Sequence, residues 1–257
     1  MPSQSPSAKV ASRRQSYWTA SRSPRYSLLF ALPLLLFYEA LVIARPAHVR
    51  GGEIRNGADV MLRELAYALM GPWGPVALMA AVMLVCVVLV RRDLKRGGGL
   101  HAGTFALMFA ESAVLSVAFG LVVGTATAEL LGQLHALSMG TGPIQQMDVT
   151  TRLMLSVGAG LYEELLFRVL LVGGLAFTAR TVLGMSRLTA GIGATILGAL
   201  AFSAFHYVGA YGEPFQLQSF VFRAISGVAL SALYLTRGFG ITAWTHALYD
   251  IGVLVIG

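Results

Sequence analysis

Seven long apolar segments, separated by short polar ones, dominate the 257-residue chain. Each has about the 17 to 25 residues with which a helix crosses a bilayer. They predict membrane-spanning helices over residues 26–44, 73–90, 102–124, 153–178, 188–207, 219–235 and 239–257. Asn56–Met70 is charged and periodic and predicts a short interfacial helix, and Thr125–His135 predicts another. The pattern therefore predicts an all-α fold, a polytopic transmembrane helical bundle of about seven spans.

The first 25 residues differ from the rest of the chain. They are rich in serine, contain five basic residues and no acidic one, and predict a disordered basic cytoplasmic tail. The apolar run that follows is too long for a typical signal-peptide core and lacks a clear cleavage site, so we predict an uncleaved first span. Because no internal repeat is evident and the loops are short, residues 26–257 are predicted to form a single transmembrane helical domain.

Composition and charge support a membrane protein with its N-terminus in the cytoplasm. Only 12% of the residues are charged, about half of the ~25% typical of a soluble domain. The net charge of +7 does not indicate nucleic-acid binding, because the basic residues cluster outside the apolar runs. Basic residues mark the loops 91–96, 180–187 and 236–238, whereas the loops 125–151 and 208–218 have no Lys or Arg. This alternation predicts a multi-pass protein of the bacterial-type inner membrane. The loop 45–72 does not follow the alternation of basic and acidic loops.

The fourth apolar segment contains three charged residues within six positions, Glu163, Glu164 and Arg168. A charge at membrane depth costs about 2.5–3.5 kcal/mol on insertion scales, and such residues usually have a function. Glu164 and Arg168 are spaced i, i+4, so they share a helix face and are predicted to pair. Glu163 points roughly 100° away around the helix. It is therefore the unpaired acid, and an unpaired buried acid suits general-base catalysis.

Two later segments each add a pair of residues at the same spacing. Phe202 and His206 are i, i+4 in the fifth segment, and His246 and Asp250 are i, i+4 in the seventh. Each pair shares one helix face. Asp250 could orient His246 or present a second polar group beside it.

The three motifs, EExxxR, FxxxH and HxxxD in this order on separate helices, resemble those of the CPBP family. This family comprises the prenyl-CAAX endoproteases and the bacteriocin-processing proteins, and the resemblance covers about residues 150–257. It implies an intramembrane endopeptidase of glutamic type that acts on a membrane-associated peptide or protein. Prenylated C-termini, bacteriocin leaders and membrane-anchored sorting tails are all possible substrates.

The resemblance also implies roles for these residues. Glu163 would activate a water molecule with the help of His206, and His246 and Asp250 would hold the oxyanion. Three further residues would support the site: Glu164, Arg168 and Phe202. The family's third motif often ends in Asn. Because an ionised Asp cannot donate to an oxyanion, Asp250 must either be protonated or act by orienting His246.

Three alternatives remain open at this point. The four predicted catalytic residues also form an adequate ligand set for zinc or iron, although there is no HExxH motif and the resemblance favours a mechanism without a metal or other cofactor. A proton-coupled transporter would also place Glu, His and Asp in the membrane, but it predicts internal repeats. A non-catalytic immunity or scaffold protein could keep the same fold.

The predicted depths of the site residues conflict. In straight spans, His206 lies near the outer membrane surface, Glu163 near the middle, and His246 about 10 Å from the inner end of its span. Tilted or broken helices would be needed to bring these residues together.

Overall fold

The computed structural model describes residues 16–44, 48–49, 52–97, 99–132, 147–209 and 212–256. The described residues are almost entirely helical, which confirms the predicted all-α class. Extended structure among them is confined to a two-residue antiparallel pair, β1 (His48–Val49) and β2 (Gly52–Glu53). Residues 1–15 of the predicted tail lie outside the described residues. The single-domain organisation stays a prediction.

The helices pack against one another as a bundle. In chain order they are α1 Tyr17–Ser21, α2 Pro24–Ala44, α3 Gly57–Met70, α4 Gly74–Lys95, α5 Ala102–Leu131, α6 Val149–Gly158, α7 Gly173–Thr181, α8 Arg187–Phe205, α9 Leu217–Arg237 and α10 Phe239–Ile251. A 3₁₀ turn at Gly71–Trp73 joins α3 to α4. Two segments have wider, π-type hydrogen bonding: Ala159–Val172, which joins α6 to α7 and is called the π segment below, and Gly252–Ile256 after α10.

Each predicted span coincides with a helix or with a run of helical segments, and the protein is membrane-embedded. Five stretches within the described parts of the chain are long and apolar enough to cross a membrane: Pro24–Ala44, Gly57–Lys95, Ala102–Leu131, Arg187–Phe205 and Leu217–Arg237. The spans predicted at 153–178 and 239–257 correspond to the runs Val149–Thr181 and Phe239–Ile256, which carry polar motifs. A π-type segment lies within the first run and at the end of the second.

Of the two shorter predicted helices, one forms a separate helix and the other is part of a longer one. The helix predicted at Asn56–Met70 exists as α3, with Asn56 as its N-cap. The helix predicted at Thr125–His135 is not separate, because α5 continues to Leu131. The hydroxyls of Thr125 and Thr127 donate to carbonyls four residues earlier, at 2.6 and 2.8 Å, so these polar side chains are satisfied inside a continuous helix. The last three residues of the predicted helix lie outside the described residues.

Helix α10 lies at the centre of the bundle, where it contacts α2, α5, α6, α9 and the π segment. Small buried residues on α10, Ala243 and Ala247, allow a neighbouring backbone to come close. A Cβ atom added at Gly160 would lie 2.4 Å from the carbonyl oxygen of Ala243 and 2.6 Å from the Cβ of Ala247. Glycine at position 160 is therefore what lets the π segment pack directly against α10.

The structure brings the motif residues together, although straight spans would place them at different depths. The run Val149–Thr181 is longer than the ~20 residues that a crossing needs, so Glu163 need not lie midway across the membrane. This run starts beside the end of α10, where Arg152 Nη1 donates to the Leu254 carbonyl at 2.7 Å. His206 follows the last residue of α8. The ring centroids of Phe202 and His246 are 6.2 Å apart, so α8 and α10 place their motifs side by side.

Replacement of Gly160 by Ala should destabilise the protein, because the added methyl group would overlap the backbone of α10. We expect the free energy of unfolding to fall by about 1–3 kcal/mol, the usual cost of overpacking. Thermal unfolding in detergent micelles measures the effect. Gly191→Ala is the matched control, since Gly191 lies in α8 with open space around its Cβ position. Equal melting temperatures for the two variants would contradict the close approach.

Candidate active site

The first motif lies on the π segment, in the interior of the bundle. Glu163, Glu164 and Arg168 are 6%, 0% and 1% exposed, so all three charged side chains are shielded by protein. The backbone N–H of Gly173 donates to the carbonyl of Arg168, five residues earlier. Such π-type turns within helices are frequent at functional sites. The sequence did not predict this irregularity, because hydrophobic periodicity does not distinguish a π segment from an α-helix over a few turns.

Glu164 connects two helices through its two carboxylate oxygens. Its Oε2 lies 3.2 Å from Arg168 Nε, which is the pairing that the i, i+4 spacing predicted. Its Oε1 accepts a hydrogen bond from His246 Nδ1 at 2.7 Å. The guanidinium of Arg168 also lies over the ring of Phe202, at 4.4 Å from the centroid. Its positive charge is therefore balanced by a carboxylate and by the negative face of an aromatic ring.

The contact between Glu164 and His246 was missed from the sequence. The spacing on the seventh segment suggested Asp250 as the group that orients His246, but Asp250 Oδ2 lies 3.7 Å from His246 Nε2, beyond hydrogen-bond distance. The two carboxylates thus flank the imidazole, one at each nitrogen, and Glu164 makes the closer contact. The small residues Ala243 and Ala247, on the same helix as His246, were the available signal for a close helix neighbour.

His206 has a defined orientation at the end of α8. Its Nδ1 lies 2.9 Å from the carbonyl oxygen of Phe202, and its ring packs edge-on against the ring of Phe202 with centroids 5.1 Å apart. A carbonyl oxygen can only accept, so Nδ1 carries the proton and Nε2 is left as an acceptor in the neutral ring. The ring interacts electrostatically with the carboxylate of Glu163.

Glu163 has a different environment from Glu164. Its Oε1 accepts a hydrogen bond from Asn56 Nδ2 at 2.9 Å. Its Oε2 is buried and makes no hydrogen bond to any described residue. The carboxylate interacts electrostatically with His206 and His246. The structure therefore brings the three motifs together and leaves one oxygen of Glu163 without a hydrogen-bond partner among the described residues.

Two other acidic residues of the apolar segments, which belonged to no motif, have structural partners. Glu111 accepts bidentate hydrogen bonds from Arg237, at 2.6 and 2.7 Å, and a hydrogen bond from Tyr17. Glu39 accepts from Tyr162 at 2.8 Å and also pairs with arginines near the start of α3. Among the residues that the structure describes, no group of three or more His, Cys, Asp or Glu side chains is arranged to hold a metal ion.

Comparison with known families identifies the region that contains the three motifs. Residues 145–252 match the family described as Type II CAAX prenyl endopeptidase Rce1-like, which confirms the resemblance based on the motifs. This family is not known to need a cofactor. Comparisons with curated proteins and with solved structures gave no match. The match includes all seven predicted site residues, whereas Asn56 lies outside it.

The Glu164–Arg168 pair should behave as a coupled unit in unfolding experiments. Arg168→Gln leaves a buried carboxylate without its cation, and breaking a buried pair in this way costs about 3–5 kcal/mol. The double variant Glu164→Gln/Arg168→Gln removes both charges and should be more stable than Arg168→Gln alone. Denaturant unfolding of the wild type, the two single variants and the double variant measures the coupling. Additive effects would show that the two charges are independent.

Proposed function

We propose that this chain, whose residues 145–252 match the Type II CAAX prenyl endopeptidase Rce1-like family, is an intramembrane endopeptidase of glutamic type. It hydrolyses a peptide bond of a membrane-associated peptide or protein. The observation that carries the proposal is the environment of Glu163. One carboxylate oxygen is held by an amide, the other has no hydrogen-bond partner among the described residues, and the carboxylate interacts electrostatically with the imidazole of His206.

The proposed first step is the activation of a water molecule by Glu163 and His206. Oε2 of Glu163 and Nε2 of His206 are both acceptors, so a water between them donates both of its hydrogens and directs a lone pair elsewhere. That lone pair attacks the carbon of the scissile carbonyl. As the C–O bond forms, Glu163 takes a proton from the water and the carbonyl electrons move to oxygen.

His246 stabilises the resulting oxyanion. Its Nδ1 donates to Glu164, so only Nε2 is available to the substrate, and it must carry a proton to donate. The carboxylate of Asp250 lies 3.7 Å from Nε2, close enough to orient the ring. Asp250 therefore acts through His246, because an ionised carboxylate cannot itself donate a hydrogen bond.

Collapse of the tetrahedral intermediate completes the reaction. The C–N bond breaks, and the proton held by Glu163 passes to the departing nitrogen, which restores the carboxylate. Three supporting residues keep the reacting groups in place: Glu164, Arg168 and Phe202. The ring of Phe202 contacts His206 and the guanidinium of Arg168, so it links the water-activating side of the site to the oxyanion side.

Glu163→Gln and His206→Ala should each lower kcat by at least about 100-fold, because general acid–base catalysis is typically worth 10²–10⁴-fold. The purified variants are reconstituted in liposomes with a quenched-fluorescent peptide library attached to a lipid anchor, and new termini are identified by mass spectrometry. Glu129→Gln is the matched control, since Glu129 is an exposed acid on α5.

Normal cleavage by Glu163→Gln would exclude the proposed mechanism. The wild type should keep its rate in excess chelator. A rate that chelator abolishes and zinc restores would instead support the metalloprotease alternative.

We also propose that the protein lies in a bacterial-type inner membrane and that its N-terminus is on the cytoplasmic side. The support is the cluster of basic residues at one set of helix ends, including Arg91, Arg92, Arg180 and Arg237.

In a Cys86→Ser background, a cysteine at Gln216, between α8 and α9, should react with a membrane-impermeant maleimide added to whole cells. A cysteine at Ser186, between α7 and α8, should react only after permeabilisation. The reverse pattern would show the opposite orientation.

A further inference from the structure

We infer that Asn56 is a positioning residue for Glu163: its side-chain amide fixes one carboxylate oxygen and so leaves the other for the water. This inference rests on the proposed function and assigns a role to a residue outside the segment that matches the family. Asn56 touches Glu163 but not the reacting atoms, so it acts through Glu163 and is not itself a catalytic residue.

The direction of the Asn56 amide is set by a second hydrogen bond. Oδ1 accepts from the backbone N–H of Ala58 at 2.9 Å, which caps the N-terminus of α3. The amide has one accepting oxygen and one donating nitrogen. Because the cap uses the oxygen, the nitrogen must face the other way, where it donates to Glu163 Oε1 at 2.9 Å. The same side chain thus starts a helix and holds the carboxylate.

The backbone of Asn56 is fixed as firmly as its side chain. Its N–H donates to the hydroxyl of Tyr38 at 3.0 Å, and this hydroxyl donates to Asp59 Oδ2 at 2.9 Å. Asp59 in turn forms ion pairs with Arg55 at 2.9 Å and Arg63 at 2.5 Å. Asn56 and Asp59 are 5% and 1% exposed, so this chain of contacts is screened little by solvent.

A glycine on α6 brings this segment into direct contact with the helix that leads into the π segment. A Cβ atom added at Gly158 would lie 2.6 Å from the ring of Tyr38 and 2.8 Å from the Cβ of Asn56. No larger residue would leave room for Asn56 at this distance from Glu163. Gly158 precedes Glu163 by little more than one helical turn, so a shift at Gly158 would also move the carboxylate.

The hydrogen bond has two consequences for the proposed chemistry. It stabilises the ionised form of Glu163, and a hydrogen bond to a charged group is worth more than one between neutral groups. It also restricts rotation of the carboxylate, so that Oε2, which makes no hydrogen bond to any described residue, keeps one orientation. Loss of the donor should slow the chemical step and leave substrate binding unchanged.

The test compares variants that separate capping from donation. Asn56→Ser keeps a good N-cap but removes the amide donor and shortens the side chain, and kcat should fall about 10- to 100-fold with KM and melting temperature unchanged. Asn56→Asp also keeps the cap, but it places a second carboxylate against Glu163 and should lower kcat further. Ser186→Ala removes the cap of α8 at the other end of the bundle, and should lower stability without changing kcat.

A double-mutant comparison distinguishes positioning from a general structural role. The shorter carboxylate in Glu163→Asp is out of reach of the Asn56 amide, so adding Asn56→Ser should cost little further activity. Assays use the full chain in liposomes with the same lipid-anchored library. A purely structural role would give equal losses in both backgrounds, which would overturn the inference.

The outcomes also separate this inference from the proposed function. If Glu163→Gln is inactive while Asn56→Ser and Asn56→Asp keep the wild-type kcat, the inference fails and the proposed function stands. If either Asn56 variant raises KM with kcat unchanged, Asn56 acts on binding and the inference also fails. If Glu163→Gln is active, the proposed function fails first and the inference fails with it.

Discussion

The need to pair a buried charge governs the arrangement of this site. Glu164 is fully buried in a helix of a membrane-embedded bundle, where an isolated carboxylate would be costly. It is tied to Arg168 on its own helix and to His246 on α10. Arg168 lies against Phe202 on α8, and the Phe202 carbonyl and ring hold His206. One carboxylate thus links three helices.

This arrangement depends on backbones that approach closely. The contact between Gly160 and α10 brings the π segment near enough for Glu164 to reach His246, and Gly158 does the same for Tyr38 and Asn56. In a bilayer, apolar burial gives little driving force for helix association. Close packing of small residues and hydrogen bonds between helices therefore contribute more to it. The two glycines before the motif are therefore as much a part of the site as the charged residues after them.

The sequence was most informative about contacts within one helix and least informative about contacts between helices. The pairing of Glu164 with Arg168 and the shared faces of Phe202 with His206 followed from i, i+4 spacing. The bonds from His246 to Glu164 and from Asn56 to Glu163 did not, because periodicity shows which face is polar but not which helix it meets. The reach of α5 to Leu131 and the π segment were missed for a related reason, since both depend on backbone hydrogen bonding that apolar patterning does not determine.

The surroundings of the membrane-depth acids also explain why Glu163 is suited to a different role from the others. Glu39, Glu111 and Glu164 each face an arginine, and a carboxylate in such a pair is held for structure. Glu163 forms no ion pair within the described parts of the chain and is instead bound by the neutral amide of Asn56. A neutral donor orients a carboxylate without cancelling its charge, so Glu163 keeps the ability to accept a proton. That amide comes from the N-terminal helices, so the part of the chain outside the family match completes the environment of the proposed base.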